Sequence, residues 1–202
     1  MDIFEELFGF KRDKFIPLQK KNDVEFELQA RLKEIQEEGH QLLEIERNNV
    51  GEIVIIYRQY FYDGDDDDLI NIEAIVITKD GVRVPYPIMH VIRREKDRSL
   101  YIVDIKVLGE SINKGYGSLM MKHLLDIAKK DKERVMFVTG NMSSEGDEHR
   151  QRQIHFYKKC GFICHEEKIL WINDGIELST EQISDVFSRI VLADPQVFGI
   201  RE

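Results

Sequence analysis

The sequence has little cysteine and little proline. Its 202 residues include only 2 cysteines and 4 prolines. Cys160 and Cys164 are separated by three intervening residues, and nothing else in the sequence indicates an oxidising compartment, so we interpret both as reduced thiols with a structural role. A zinc site that adds His155 and His165 matches no standard ligand spacing. The sequence therefore predicts neither a disulfide nor a metal site.

Membrane segments, export signals and an excess of positive charge are also missing. No apolar run approaches the ~20 residues that span a bilayer, and residues 1–6 are acidic where a secretory signal is basic. These features predict a cytosolic protein with no membrane partner. The 29 Lys and Arg residues against 38 Asp and Glu give a net charge of −9, which disfavours a nucleic-acid partner. The hydrophobic content of 42% is enough for one substantial core.

The first 50 residues are predicted to form a helical extension. After Asp23, a typical N-cap, apolar residues recur at spacings of four, four and three, which is typical of an amphipathic helix. A second apolar group, Leu42, Leu43 and Ile45, continues the helical spacing. We expect this extension to pack against the domain that follows or to form the contacts of a homodimer.

The middle of the chain is predicted to form antiparallel strands. Four segments rich in Ile, Val and Tyr, each bounded by turn or charge signals, cover residues 53–62, 70–78, 82–92 and 100–108. Asp80-Gly81 favours a hairpin between the second and the third. Pro85 and Pro87 predict that the third strand is irregular or lies at an edge.

An acidic run, Asp63-Gly64-Asp65-Asp66-Asp67-Asp68, separates the first two of these strands. It lacks the glycine and the glutamate that an EF-hand needs at its sixth and twelfth positions. A solvated hairpin loop is the simplest interpretation. A lip that attracts a cationic amine is the alternative.

Helical periodicity takes over after residue 108. Helices are predicted at about residues 116–130 and 147–160, and strands at 135–138 and 162–172. Thr180 is a candidate N-cap for a terminal helix that ends at about residue 192.

The turn from the strand at 100–108 into the next helix has the features of a pyrophosphate site. Gly115 and Gly117 let a ligand approach the backbone, and the N–H groups in the first turn of a helix form an anion site. Lys114 and the Ser118 hydroxyl add donors. The pattern is not a dinucleotide fingerprint, because Met120 stands where the third glycine belongs, and it is not a Walker A loop. A tight turn without a ligand is the structural alternative.

A second motif, Phe156-Tyr157-Lys158-Lys159-Cys160-Gly161-Phe162, ends a helix and begins a strand. Together with Ile112-Asn113-Lys114-Gly115-Tyr116-Gly117, it resembles the GNAT N-acetyltransferase superfamily. In that family Arg/Gln-x-x-Gly-x-Gly/Ala holds the coenzyme A pyrophosphate, and a later helix ends in Phe-Tyr-x-x-x-Gly-Phe. The second match is complete, and both motifs occur in the order of the family. The chain departs from the first motif at Ile112, which replaces Arg or Gln.

The resemblance implies an α/β GNAT-like acyl-CoA N-acyltransferase fold. Its sheet is expected to be mixed, mostly antiparallel and twisted, with helices on both faces and a cleft where two central strands part. The implied division of the chain is a helical N-terminal extension over residues 1–50, the acetyltransferase domain over 51–175, and a helical tail over 176–202 packed on the domain.

The resemblance also implies acetyl-CoA as the cosubstrate and assigns residues to its binding. Ile105 and Val107 would offer backbone groups to pantetheine and to the acetyl carbonyl. The pyrophosphate would be held mainly by main-chain N–H groups of the loop and the helix start, which are Asn113, Lys114, Gly115, Tyr116, Gly117 and Ser118.

The implied reaction is direct attack of a neutral amine, on a small molecule or a protein, at the acetyl thioester. It needs an oxyanion donor, an acid and a route for the amine's proton. Tyr157 would protonate the leaving thiolate, and packing against the sheet is its alternative role. Asp104 is our candidate for the proton route, with Glu110 and Glu148 in reserve. Since strand alternation places Lys106 beside Asp104, a solvated strand face is the alternative there.

A noncatalytic acyl-CoA-binding module, regulatory or for interaction, remains the alternative function. Such a module would keep the pyrophosphate site and lose turnover. The two are separated by whether coenzyme A is released in the presence of an amine.

Overall fold

The computed structural model describes residues 14–21, 23–48, 50–60, 68–143 and 146–192. Its strands are β1 Lys14–Ile16, β2 Gln41–Arg47, β3 Ile53–Gln59, β4 Leu69–Thr78, β5 Gly81–Val84, β6 Ile88–Arg94, β7 Ser99–Lys106, β8 Phe137–Asn141, β9 Ile163–His165 and β10 Lys168–Ile172. Its helices are α1 Val24–Glu37, α2 Tyr116–Lys130, α3 Asp147–Lys159 and α4 Thr180–Leu192. No helix in these ranges is long and apolar enough to cross a bilayer.

The strands form one mixed, mostly antiparallel sheet, as predicted. The main order is β2-β3-β4-β6-β7-β8-β10-β9, and β5 and β1 continue from the far end of β4. All the paired strands are antiparallel except β7 and β8. A parallel pair needs a long crossover, and α2 supplies it between these two strands.

Side chains point alternately to the two faces of the sheet, and each face carries a hydrophobic core. Val54 and Ile56 of β3 belong to the core that α2 and Tyr157 of α3 complete. Ile53 and Ile55 point the other way, into a smaller core closed by α1. Helices therefore cover both faces, as expected.

The prediction of a helix through Leu42, Leu43 and Ile45 is wrong, because these residues lie in β2. Strand β2 pairs with β3, and the register shifts between Leu42 and Glu44, which makes Leu43 the extra residue of a bulge. A bulge breaks the period of two, so the apolar spacing imitates a helix. The short β1 also departs from an all-helical extension.

Two of the predicted strands are each divided into two strands in the structure. The expected strand at 82–92 is divided into β5 and β6 around Pro85 and Pro87. The strand at 162–172 is a hairpin, β9 and β10, whose turn contains Glu166 at φ 52°. The hairpin at Asp80-Gly81 is confirmed by the Thr78–Gly81 pairing.

The sequence predicted an N-cap residue for two helices, and the structure confirms the first and moves the second by one residue. Asp23 caps α1 as expected, because its side chain accepts a hydrogen bond from the Phe26 amide at 2.9 Å. At α4 the cap is Ser179 and not Thr180. The Ser179 hydroxyl accepts from the Gln182 amide at 3.2 Å, and the Gln182 side chain accepts from the Ser179 amide at 2.8 Å.

Some sequence-based predictions stay untested. Residues 63–67 of the acidic loop and residues 1–13 lie outside the described residues. The division at residues 50 and 175 also stays a prediction, as do the homodimer contacts.

Candidate active site

The central strands β7 and β8 part at Ile102. They pair from Ser99–Phe137 to Ile102–Gly140, while β7 continues along β6 as far as Lys106. Beyond Ile102, the described part of β8 offers no ladder to this edge of β7. Backbone groups of residues 103–106 on that edge are therefore available to a ligand. This parting is where the sequence predicted a cleft.

A bulge in β7 marks the same point. His90 pairs with Asp104 and Val91 pairs with Ile102, so Val103 is an extra residue that the partner strand does not match. A bulge increases the local twist and redirects the side chains that follow it. Ile105 then packs against the larger core, and Asp104 points to the opposite face.

The loop after β7 leads into the first turn of α2. A 3₁₀ turn spans Gly109–Ser111, Asn113 has φ 65°, and Gly115 precedes the helix at φ 89°. The first intrahelical bond runs from the Leu119 amide to the Gly115 carbonyl at 3.0 Å. Gly117 therefore lies in the turn whose N–H groups have no intrahelical acceptor. A Cβ atom on Gly115 would meet nothing within 4 Å, so the backbone faces open space here.

The side chains of Lys114 and Tyr116 turn away from that space toward Glu52. The Lys114 ammonium lies 3.0 Å from the Glu52 carboxylate, and the Tyr116 hydroxyl donates to the same group. Arg83 and Asn48 complete the ring of donors at 2.7 and 2.6 Å. What Lys114 and Tyr116 can offer to a phosphate at this turn is therefore their main chain.

Glu52 holds its charge because of these donors. Burial raises the pKa of its carboxyl, but the hydrogen bonds from Tyr116, Asn48, Lys114 and Arg83 outweigh burial and lower the pKa to about 2. The ionised carboxylate fastens both the loop and the start of α2 to the sheet. No local pattern predicts this role, since a lone glutamate before a strand is ordinary.

The end of α3 explains the second motif. Gly161 has φ 87°, its amide donates to the Lys158 carbonyl, and the Phe162 amide donates to the Tyr157 carbonyl, both at 3.0 Å. These two bonds define a Schellman motif, which favours glycine at the left-handed position. The motif also joins apolar side chains across the helix end. Here Tyr157 and Phe162 meet edge to face, with ring centroids 5.5 Å apart.

Tyr157 is only 5% exposed and lies near Asp104. Burial raises the pKa of its hydroxyl well above the ordinary value, and the Asp104 carboxylate raises it further. The phenol therefore stays protonated at neutral pH. It makes no hydrogen bond to the residues that the structure describes, so the proton is available to a ligand.

Asp104 is part of an ion pair. Its carboxylate lies 3.3 Å from the Lys106 ammonium, and its side chain is 43% exposed. The two residues share a face, as strand alternation predicted. Across the ladder from Asp104 is His90, whose Nδ1 lies 2.7 Å from the Asn71 amide oxygen. Sequence reasoning missed Asn71 and His90, because single polar residues inside apolar strands carry no motif.

The remaining sequence candidates are placed as follows. Glu148 is exposed in the first turn of α3, at the opposite end of that helix from Tyr157. Glu110 lies in the 3₁₀ turn, and its side chain is outside the described atoms. Cys160 and Cys164 are free thiols and half-buried.

Comparison with known proteins identifies a family and a curated relative of this chain. The model of the Acetyltransferase (GNAT) family matches residues 24–162. The uncharacterised protein YocC of Bacillus subtilis (strain 168) is 40% identical over 70 residues, which are 34% of this chain and 39% of that protein. The chain thus matches about two fifths of the length of this relative.

Solved structures with a similar fold include three acetyltransferases. Spermidine N-acetyltransferase from Vibrio cholerae, in complex with CoA and spermine, has a TM-score of 0.42 and 13% identity over 54% of this chain and 68% of its own. Nourseothricin acetyltransferase has a TM-score of 0.40 and 16% identity over 66% and 85%. Arabidopsis thaliana NAA60, in complex with a bisubstrate analogue, has a TM-score of 0.41 and 11% identity over 81% and 99%. Likenesses at this level transfer no residue roles to the chain.

Proposed function

The chain belongs to the GNAT acetyltransferase family, and we propose from this premise that it transfers an acetyl group from acetyl-CoA to a primary amine by direct attack. The observation that supports the proposal best is the parting of β7 and β8 beside Tyr157. An unpaired strand edge, a helix start and a protonated phenol meet there. These are the parts that thioester aminolysis requires.

Acetyl-CoA binding is assigned to main-chain groups. The loop and the first turn of α2, from Asn113 to Ser118, would hold the pyrophosphate through their N–H groups, which the helix dipole reinforces. Open space at the Gly115 backbone supports close approach of a ligand. Ile105 and Val107 would hold pantetheine and the acetyl carbonyl through the strand edge that β8 leaves exposed.

The acid and the proton route follow from the site. As the amine nitrogen bonds to the acetyl carbon, the carbon–sulfur bond breaks, and the thiolate takes a proton from the Tyr157 hydroxyl. Burial supports this role, because it keeps the phenol protonated until a stronger base is present. Asp104 would help to draw the amine's proton away. Its electrostatic influence on Tyr157 supports this role.

The acceptor is proposed to be an amine on a small molecule or a protein, and no metal takes part. The cytosolic location predicted from the sequence goes with this proposal. The acceptor and the location both stay predictions.

Two measurements on the full chain test the proposal. Calorimetry with acetyl-CoA should detect binding, and coenzyme A release should rise with at least one amine from a panel of spermidine, a lysine peptide, a peptide with a free α-amine and kanamycin. Mass spectrometry should then find the acetylated amine. Binding without release would support the noncatalytic acyl-CoA-binding alternative. Absence of binding at millimolar acetyl-CoA would overturn both.

A further inference from the structure

A polar row crosses three neighbouring strands on the face that α1 covers. Asn71 of β4 pairs with His90 of β6, and His90 pairs with Asp104 of β7. Directly opposed residues of antiparallel strands share a face, so these side chains are neighbours. The row ends on the strand that leaves β8, one residue beyond the bulge at Val103. The row therefore reaches the part of β7 that the proposed reaction uses.

The hydrogen bond to Asn71 fixes the tautomer of His90. The Asn71 amide oxygen can only accept, and it lies 2.7 Å from Nδ1 of His90. Nδ1 therefore carries the hydrogen, and in the neutral ring Nε2 keeps its lone pair. Asn71 is 3% exposed, so the packing around its side chain keeps it beside His90.

The neutral form of His90 is the one that its surroundings favour. Burial lowers the pKa of the imidazole, Lys106 lowers it further, and Asp104 opposes both. Glu73, two residues from Asn71, is the other ionisable group on this face of β4. Three of the charged groups of α1, Glu27, Arg31 and Glu34, act on Tyr86. Asp104 and Lys106 are therefore the charges that bear most directly on His90.

We propose that Nε2 of His90 accepts the proton of the attacking amine, with Asp104 stabilising the imidazolium. The inference rests on the proposed function and adds a catalytic residue to it. When the amine lone pair forms the carbon–nitrogen bond, the nitrogen becomes positive and passes one proton to Nε2. The carbon–sulfur pair leaves with the thiolate, which Tyr157 protonates. Solvent then carries the proton from His90 to the phenolate, and the net products are amide and coenzyme A.

Imidazole suits this step better than Asp104 alone. The Asp104 carboxylate is already paired with Lys106 at 3.3 Å, whereas Nε2 of His90 has no partner among the residues that the structure describes. A free imidazole has a pKa of about 6.5, close to the pH at which a base is most effective, whereas a carboxylate lies near 4. Asp104 retains a part in the route, because a carboxylate opposite His90 favours the charged ring.

Variants of the row test the role through the pH profile. With acetyl-CoA and the best amine of the panel, His90→Gln should lower kcat by about 100-fold and leave the KM for acetyl-CoA within about twofold. The acidic limb of kcat/KM against pH should vanish. Asn71→Asp puts a carboxylate on Nδ1 and should move that limb up by about one pH unit. His123→Gln is the control. It changes an imidazole of α2 that is hydrogen-bonded to Glu44 of β2, and it should keep the wild-type profile.

A measurement that needs no acceptor completes the test. Nitrogen-15 NMR of the wild-type protein at pH 7.5 should show the His90 ring neutral, with its hydrogen on Nδ1. A hydrogen on Nε2, or a charged ring at that pH, would overturn the inference. Full turnover by His90→Gln would overturn it while leaving the proposed function intact. No turnover by the wild type would overturn the proposed function and this role together.

Discussion

Gly117 and Phe156 lie side by side. A Cβ atom on Gly117 would lie 3.5 Å from Cε2 of Phe156, so the two motifs that carry the family resemblance are neighbours although they are far apart in the sequence. The first turn of α2 packs in this way against the end of α3. The phenylalanine of the Phe-Tyr pair lies beside the helix start, and the hydroxyl of the tyrosine next to it is within the electrostatic influence of Asp104.

The turn at Gly115 offers a test of pyrophosphate binding with a matched control. Gly115 and Gly175 both have φ 89° and both face open space. Alanine at either position should therefore cost about 1 kcal/mol of stability. Only Gly115→Ala should weaken acetyl-CoA binding, by about tenfold, because its methyl group would stand where the phosphate approaches. Calorimetry on both variants decides, and equal affinities would remove this turn from the binding site.

Tyr157→Phe removes the hydroxyl and keeps the aromatic ring, so it tests the contribution of the hydroxyl alone. We expect kcat to fall by about 100-fold and the affinity for acetyl-CoA to stay within about twofold, because only the proton donor is lost. Phe162→Leu is the control. It removes the ring 5.5 Å from Tyr157 and should cost about 1 kcal/mol of stability while kcat is largely kept. Steady-state rates and urea unfolding provide the numbers, and wild-type turnover in Tyr157→Phe would contradict the acid role.

Glu52 should contribute stability that depends on pH. Its pKa is lowered in the folded state from 4.5 to about 2, so the contribution is fully present above pH 4.5 and is lost as the pH falls toward 2. The shift corresponds to ~3 kcal/mol. Glu52→Gln should therefore lower the free energy of unfolding at pH 7 and flatten its acid dependence. Glu44→Gln, in a more exposed pair with Lys122, should do so much less. Equal losses would argue against a special role for the Glu52 network.

Gly161→Ala tests the helix end that holds Tyr157. The space is sufficient, because the nearest atom to the new Cβ would be Cδ1 of Trp171 at 3.7 Å, so backbone strain alone should cost about 1–2 kcal/mol. Gly39→Ala is the comparison, since Gly39 follows α1 at φ 73° and also faces open space. Both variants should lose similar stability. Only Gly161→Ala should reduce kcat, and a normal rate would show that Tyr157 tolerates a loosened helix end.

Local patterns in the sequence predicted the parts of this fold that local chemistry determines. Asp23 caps α1 by a bond to an amide three residues away, and Gly161 ends α3 through its own φ angle. Such signals lie within a few residues of one another. The terminal helix was recognised in the same way, although its cap is one residue earlier than predicted.

Features that depend on strand partners were missed. Leu43 and Val103 are extra residues only in relation to the strands beside them, so their bulges leave no pattern in a single segment. The role proposed for His90 depends on its hydrogen bond with Asn71, which is 19 positions away. Glu52 acquires it from Lys114 and Tyr116, which lie farther still along the chain. Long-range pairing, which one sequence does not reveal, decides these roles.

The attachment at Glu52 also orders events during synthesis of the protein. Glu52 is synthesised 62 residues before Lys114 and 64 residues before Tyr116. Closing so long a segment costs entropy before the ion pair repays it, so the anchored turn belongs to the late steps of folding. A nascent chain therefore completes most of its antiparallel strands before the anchored turn can form.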